Sequence, residues 1–234
     1  MKPTEIETGS AARLRSLIAV LHLASPALPV GGFAYSQGLE KAIEDGIVVD
    51  AATAQRWIED LLLLVVARFE APLWLRAFDA CAAADEVRLQ ALNAELYAAR
   101  ETAELRAETR QMGTSLLQLF PALGLPPSPL ARGQAPITFP VAFAAVCVGL
   151  QVDREAGLAA YLWAWIENQV LVAMKTVPLG QQAGQAILIA LHPAVLHAVE
   201  KASALGDADL GSAPVGYALA SAAHETMYSR LFRS

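Results

Sequence analysis

Cysteine is nearly absent: Cys81 and Cys147 are the only two in 234 residues. They lie far apart inside helix-forming stretches, so a disulfide framework is not expected and a reducing cytosol suits the chain. Charge is sparse as well, and 17 basic against 23 acidic residues leave a net charge of −6. No basic footprint invites nucleic acid. A Gly-x4-Gly-Lys-Ser/Thr phosphate loop is missing, which argues against nucleotide hydrolysis by this chain. No Gly-x-Ser-x-Gly elbow occurs, and His224-Glu225 is followed at 228 by Tyr, not by the His that a zinc-protease helix needs. Long apolar runs are lacking too. Stretches 61–67 and 141–150 fall short of the ~18–20 residues that span a bilayer, and 158–177 is interrupted by Glu167, Asn168, Gln169 and Lys175. Residues 1–10 are polar and acidic, without the basic-then-apolar order of a secretory leader. No membrane span is expected.

What the chain does have is apolar side chains, at 55% of its residues. In a chain without spans, that excess points to subunit interfaces. Alanine and leucine dominate and no period-two alternation is sustained, so nearly every segment reads as helix. Helices are expected at 13–23, 35–45, from a cap at Asp50 onward, from Pro72 to 84, and across the charged stretch 85–110. After a linker they resume at 141–150, 154–177, 182–190, 193–205 and 215–227. The mixed signs in 85–110 read as a solvated face. The whole, 1–234, is expected to be a single all-α domain of about nine to ten helices. Its N-terminus (1–10) is expected to be flexible, 123–140 to form a proline-rich loop, and 228–234 to form a docking tail.

Ser25-Pro26-Ala27-Leu28-Pro29-Val30-Gly31-Gly32-Phe33-Ala34-Tyr35-Ser36-Gln37-Gly38-Leu39-Glu40 is the most distinctive stretch. Two prolines and the pair Gly31-Gly32 break the helical pattern, and a helix restarts behind them. The stretch reads either as a rigid loop displaying Phe33, Tyr35 and Ser36, or as a plain connector. Glu40 falls near the start of its helix, where the dipole favours a carboxylate. Lys175 sits in an apolar helix, snorkelling to water or facing a partner. The tail Tyr228-Ser229-Arg230-Leu231-Phe232-Arg233 is too short for a core of its own, and such tails are disordered unless docked. None of the four histidines forms a His-x3-His pair, so no tight metal site is expected; His224 is the weak candidate.

The loop resembles the N-terminal signature of the UreF family of urease accessory proteins, Leu-Pro-x-Gly-Gly/Ser-aromatic followed by Ser-x-Gly-Leu-Glu. The last residues, from His224-Glu225-Thr226-Met227 through Tyr228-Ser229-Arg230-Leu231-Phe232-Arg233-Ser234, resemble that family's tail. Arg100-Glu101-Thr102 with Gln111-Met112-Gly113, and Asn168-Gln169 through Lys175 to Pro178-Leu179-Gly180-Gln181, fall between them in family order. The resemblance implies an all-α, cytoplasmic, non-catalytic homodimer. Such a protein would bridge the accessory subunit UreD (also called UreH) and the GTPase UreG during nickel delivery to apo-urease. Nickel would be handled by the complex and GTP bound by UreG, with no cofactor held tightly here. Partner contacts are expected at Gly31, Gly32, Phe33, Tyr35, Ser36, Glu40, Lys175, Tyr228, Arg230, Leu231 and Phe232. Of these, Phe33 and Arg230 would engage a partner, and Glu40 and Lys175 would affect control of the GTPase. The alternative is a small helical enzyme using Glu40, His224 and Glu225 as acid–base groups around an apolar pocket.

Overall fold

The computed structural model describes residues 5–126 and 136–234, with the side chains of 5–9 left aside. Eleven α-helices and no strand occur among the described residues. They are α1 (Glu5–Leu23), α2 (Leu39–Glu44), α3 (Ala51–Leu64), α4 (Glu70–Ala82), α5 (Glu86–Ala98) and α6 (Ala103–Gln118). Beyond the linker come α7 (Phe139–Gly149), α8 (Arg154–Thr176), α9 (Gln181–Ala190), α10 (His192–Ala204) and α11 (Val215–His224). The all-α expectation holds.

The charged stretch expected as one helix is two. Thr102 caps α6 by accepting the Leu105 N–H at 3.2 Å, and the Arg100 carbonyl accepts from the Arg106 guanidinium at 2.5 Å. The Asp50 cap is present as a capping box with Thr53, whose N–H donates to Asp50 Oδ1 at 2.8 Å. Pro72 does not divide two helices. The break is a single 3-10 turn at Val66–Arg68, and Pro72 sits in the first turn of α4, where its missing N–H would be unpaired anyway. At the N-terminus α1 reaches back to Glu5, so residues 5–10 are helical, and 1–4 lie outside the described residues. Once an apolar helix has nucleated, each further residue adds a bond at little cost. Of the proline-rich loop, 127–135 lies outside the described residues, and its far end is docked. Asn93 donates to the Pro136 carbonyl at 2.8 Å and accepts the Thr138 N–H at 2.8 Å.

The core is organised around α8, which packs against α1, α2, α3, α4, α7, α9 and α10. Trp74, Phe143 and Tyr161 meet at its centre, with Phe143 and Tyr161 edge to face at 5.3 Å between centroids. Both cysteines are free, and burial pushes the Cys81 thiol up to about 11. One stretch among the described residues, Gln181–Ala204, is long and apolar enough by count to cross a membrane. It is two helices meeting at Leu191, and Ile187, Leu191, Val195 and Ala198 are buried in the core.

Gly113 fixes how closely α6 approaches the start of α7. A Cβ there would lie 2.9 Å from the Thr138 carbonyl carbon and closer still to the Ile137 carbonyl oxygen. Gly113→Ala is therefore expected to lose about 1–3 kcal/mol in urea unfolding despite the better helix propensity of alanine. A gain in stability would show that this contact is not tight.

Candidate functional site

Gly38 opens the site. Its φ is +78°, and a Cβ there would meet the Ser221 backbone nitrogen at 3.1 Å, so α2 starts hard against α11. Two residues on, Glu40 is buried. One carboxylate oxygen accepts the Leu231 N–H at 2.7 Å, and the other accepts the Phe232 N–H at 3.1 Å. That second oxygen also faces His224 Nε2 at 3.1 Å. The other ring nitrogen of His224, Nδ1, faces Glu104 Oε2 at 2.7 Å, and Glu104 Oε1 takes the Arg230 guanidinium. Each ring nitrogen of His224 has a glutamate carboxyl oxygen beside it. Glu40 thus does more than complement a helix dipole: it fastens the tail.

The tail is seated on the chain's own loop. Ser36 donates its N–H to the Ser234 carbonyl at 2.8 Å and its hydroxyl bonds the same oxygen, while the Arg233 N–H donates to the Ala34 carbonyl at 2.8 Å. Phe232 and Ser234 are buried. Lys175 is exposed, as a snorkelling lysine would be, and its Nζ stands 5.7 Å from the centroid of the Phe232 ring. Gly31, at φ +80°, leads into a single 3-10 turn over Gly32–Ala34. This turn displays Phe33, which is 65% exposed. Tyr35 and Ser36 are not displayed: both are buried, because their backbone and hydroxyl groups hold the tail and the Tyr35 carbonyl accepts from Asn168 at 3.0 Å. Tyr228, Arg230 and Leu231 face solvent. The structure thus joins loop and tail, some 190 residues apart, into one surface.

Beneath that surface lies a second polar layer. Glu108 accepts from Gln37 at 2.6 Å and from the Ser234 hydroxyl at 2.8 Å, and Trp165 donates to Gln37 at 2.6 Å. Arg100 pairs with Glu70, which also accepts the Tyr161 hydroxyl at 2.6 Å. Burial pushes the Glu108 carboxyl up to about 7 even though both bonds and the Arg100 charge favour its ionised form. The solvated-face reading of 85–110 therefore fails at Arg100 and Glu108. One signal could have found them: Glu104 and Glu108 stand four apart on one face of α6, with no basic residue between them on that face.

Chemically, this arrangement holds the tail in place. His224, the metal candidate, has both nitrogens engaged by carboxylates, and no group of three His, Cys, Asp or Glu among the described residues could hold a metal ion. A cavity of about 100 Å³ lies under the loop, but Glu40, His224 and Glu225 do not line it. The acid–base trio around an apolar pocket is not assembled.

Fold and site together define an all-α protein whose clustered buried charges fasten its own tail to its N-terminal loop. The UreF family model matches residues 48–192. The chain is 52% identical over 227 residues to urease accessory protein UreF of Cupriavidus pinatubonensis, covering 94% of this chain and 99% of the relative. Against the UreF of an Azoarcus species, identity is 49% over 235 residues, covering 98% and 100%. A bifunctional urease accessory protein UreEF of Bordetella bronchiseptica is 49% identical over 224 residues, 93% of this chain and 52% of that relative. The chain belongs to the UreF family of urease accessory proteins.

Proposed function

We propose that this chain is a cytoplasmic, non-catalytic subunit of the urease maturation complex. It bridges UreD/UreH and the GTPase UreG, as a homodimer, while nickel is delivered to apo-urease. The observation that carries the reading is the joined surface of loop and tail. It is held from within by Glu40, Ser36 and Glu108, and it leaves Phe33, Tyr228 and Leu231 exposed at 65%, 106% and 75%. Exposed apolar and aromatic side chains on a fixed backbone suit a docking surface, since aromatic residues and arginine dominate interface energetics. The natural fusion of a UreF-like chain in UreEF supports accessory proteins acting within one assembly. Nickel and GTP are cargo and partner ligand in this reading, and no cofactor is resident here.

Phe33→Ala tests it. The variant is expected to keep its helical signal and melting temperature, because Phe33 packs against little, yet to lose most urease activation in cells. Full activation would contradict a role for this surface. Arg230→Ala is expected to weaken capture of UreD/UreH roughly tenfold, the scale of ~1.4 kcal/mol. Its half-exposed pair with Glu104 contributes little to folding. Loss of helicity in that variant would make Arg230 structural instead.

A further inference from the structure

The cavity under the loop shares Phe33 with the docking surface, and its chemistry is uneven. Leu23, Leu28, Val30, Met112, Phe139 and Leu171 give it apolar walls. Glu70, Glu108 and Glu167 also line it, against the single cation Arg100. Arg100 is already committed to Glu70. Glu108 keeps only neutral partners, Gln37 and Ser234, within hydrogen-bond distance. Burial has pushed its carboxyl up to about 7, outweighing the two hydrogen bonds and the Arg100 charge that favour its ionised form. Glu167 is half-buried, and burial raises its carboxyl too. A bare metal ion would lack ligands here, because no three metal-ligating side chains among the described residues converge. A cation carrying an apolar stem meets both needs: the stem covers the walls and the charge answers Glu108.

We propose that this cavity is a binding site for a primary alkylammonium group on a stem of about four carbons, with Glu108 as its anionic partner. The site lies beneath the loop-and-tail docking surface, with Phe33 in its lining and Glu108 bonded to Ser234 of the tail. Its volume of about 100 Å³ admits one such guest. Two sources carry this chemistry, a lysine side chain from a protein and a free diamine.

The test is isothermal titration of the full chain at pH 8 with n-butylammonium chloride, 1-butanol and sodium chloride in parallel. Saturable binding of butylammonium in the millimolar range is expected, at least tenfold tighter than 1-butanol, with no heat of binding from sodium chloride. Glu108→Gln should weaken butylammonium at least tenfold and leave 1-butanol unchanged. Equal binding of the charged and neutral probes by the wild-type chain, or no saturable binding of butylammonium, overturns the proposal whether or not the variant folds. Two further probes separate the sources. Tighter binding of Nα-acetyl-lysine methylamide than of 1,4-diaminobutane assigns the site to a protein lysine, and the reverse order assigns it to a free diamine.

Discussion

Glu40→Ala is expected to cost about 3–5 kcal/mol of stability, a large part of the ~5–15 kcal/mol that a domain possesses. The reason lies in what the carboxylate holds. It accepts two main-chain N–H groups of the tail and faces a fully buried histidine. Removing it strands the buried Phe232 N–H and leaves the part-buried Leu231 N–H without its partner, and a stranded buried donor costs ~1–3 kcal/mol. His224 would then keep only Glu104, which is shared with Arg230. The effect is expected to be local first. In hydrogen exchange, the Leu231, Phe232 and Arg233 amides and that of Ser36 should lose protection before the core helices do. Unchanged protection of those amides would show that Glu40 does not hold the tail. If the tail is the docking element, partner capture falls with the same substitution.

Glu108→Gln is expected to act in the opposite direction, and only at higher pH. In the folded chain the Glu108 carboxyl sits at about 7, raised by burial from its ordinary value of 4.5. A carboxyl raised in the folded state contributes stability that is fully present below about 4.5 and lost as pH rises through about 7. The difference corresponds to about 3 kcal/mol. Glutamine carries no charge to bury, and its amide can still meet Gln37 and the Ser234 hydroxyl, which can turn to accept. The variant should therefore exceed the parent in urea unfolding at pH 8 by up to about 3 kcal/mol and fall close to it at pH 5. A variant less stable than the parent at pH 8 would mean that the ionised carboxylate is itself stabilising, and the reading of Glu108 as a charge whose burial outweighs its partners would fail.

Much of the fold was legible because helices announce themselves locally. The Asp50 cap and Gly46 behind α2 are signals within one or two turns, and of the apolar stripe Trp57, Ile58, Leu61, Leu64 and Val65 the structure buries Ile58 and Leu61 but exposes Leu64. The candidate site was legible only at its two ends. The motifs around Phe33 and Arg230 mark a loop and a tail, but nothing in their spacing says that the tail folds back onto Ala34 and Ser36. That contact closes across nearly 200 residues. Tyr35 and Ser36 read as displayed because glycine and proline mark loops without saying which side chains turn inward. The charged run hid its buried members for a related reason. A mixed-sign helix is usually solvated, and the burial of Glu108 depends on Gln37 and Ser234 arriving from distant parts of the chain. Pro72 misled by one turn, since proline both ends helices and begins them.

The central claim is that the joined loop and tail form the surface by which this UreF-family chain enters the maturation complex. Size-exclusion chromatography with light scattering tests it most directly. The chain would be run alone, then with UreD/UreH, and then with UreG, GTP and nickel added. The account predicts a homodimer that captures UreD/UreH and then the GTPase, with capture lost when Phe33, Tyr228 and Leu231 are replaced together by alanine. A chain that ignores both partners, or a triple variant that captures them as well as the parent does, would contradict it.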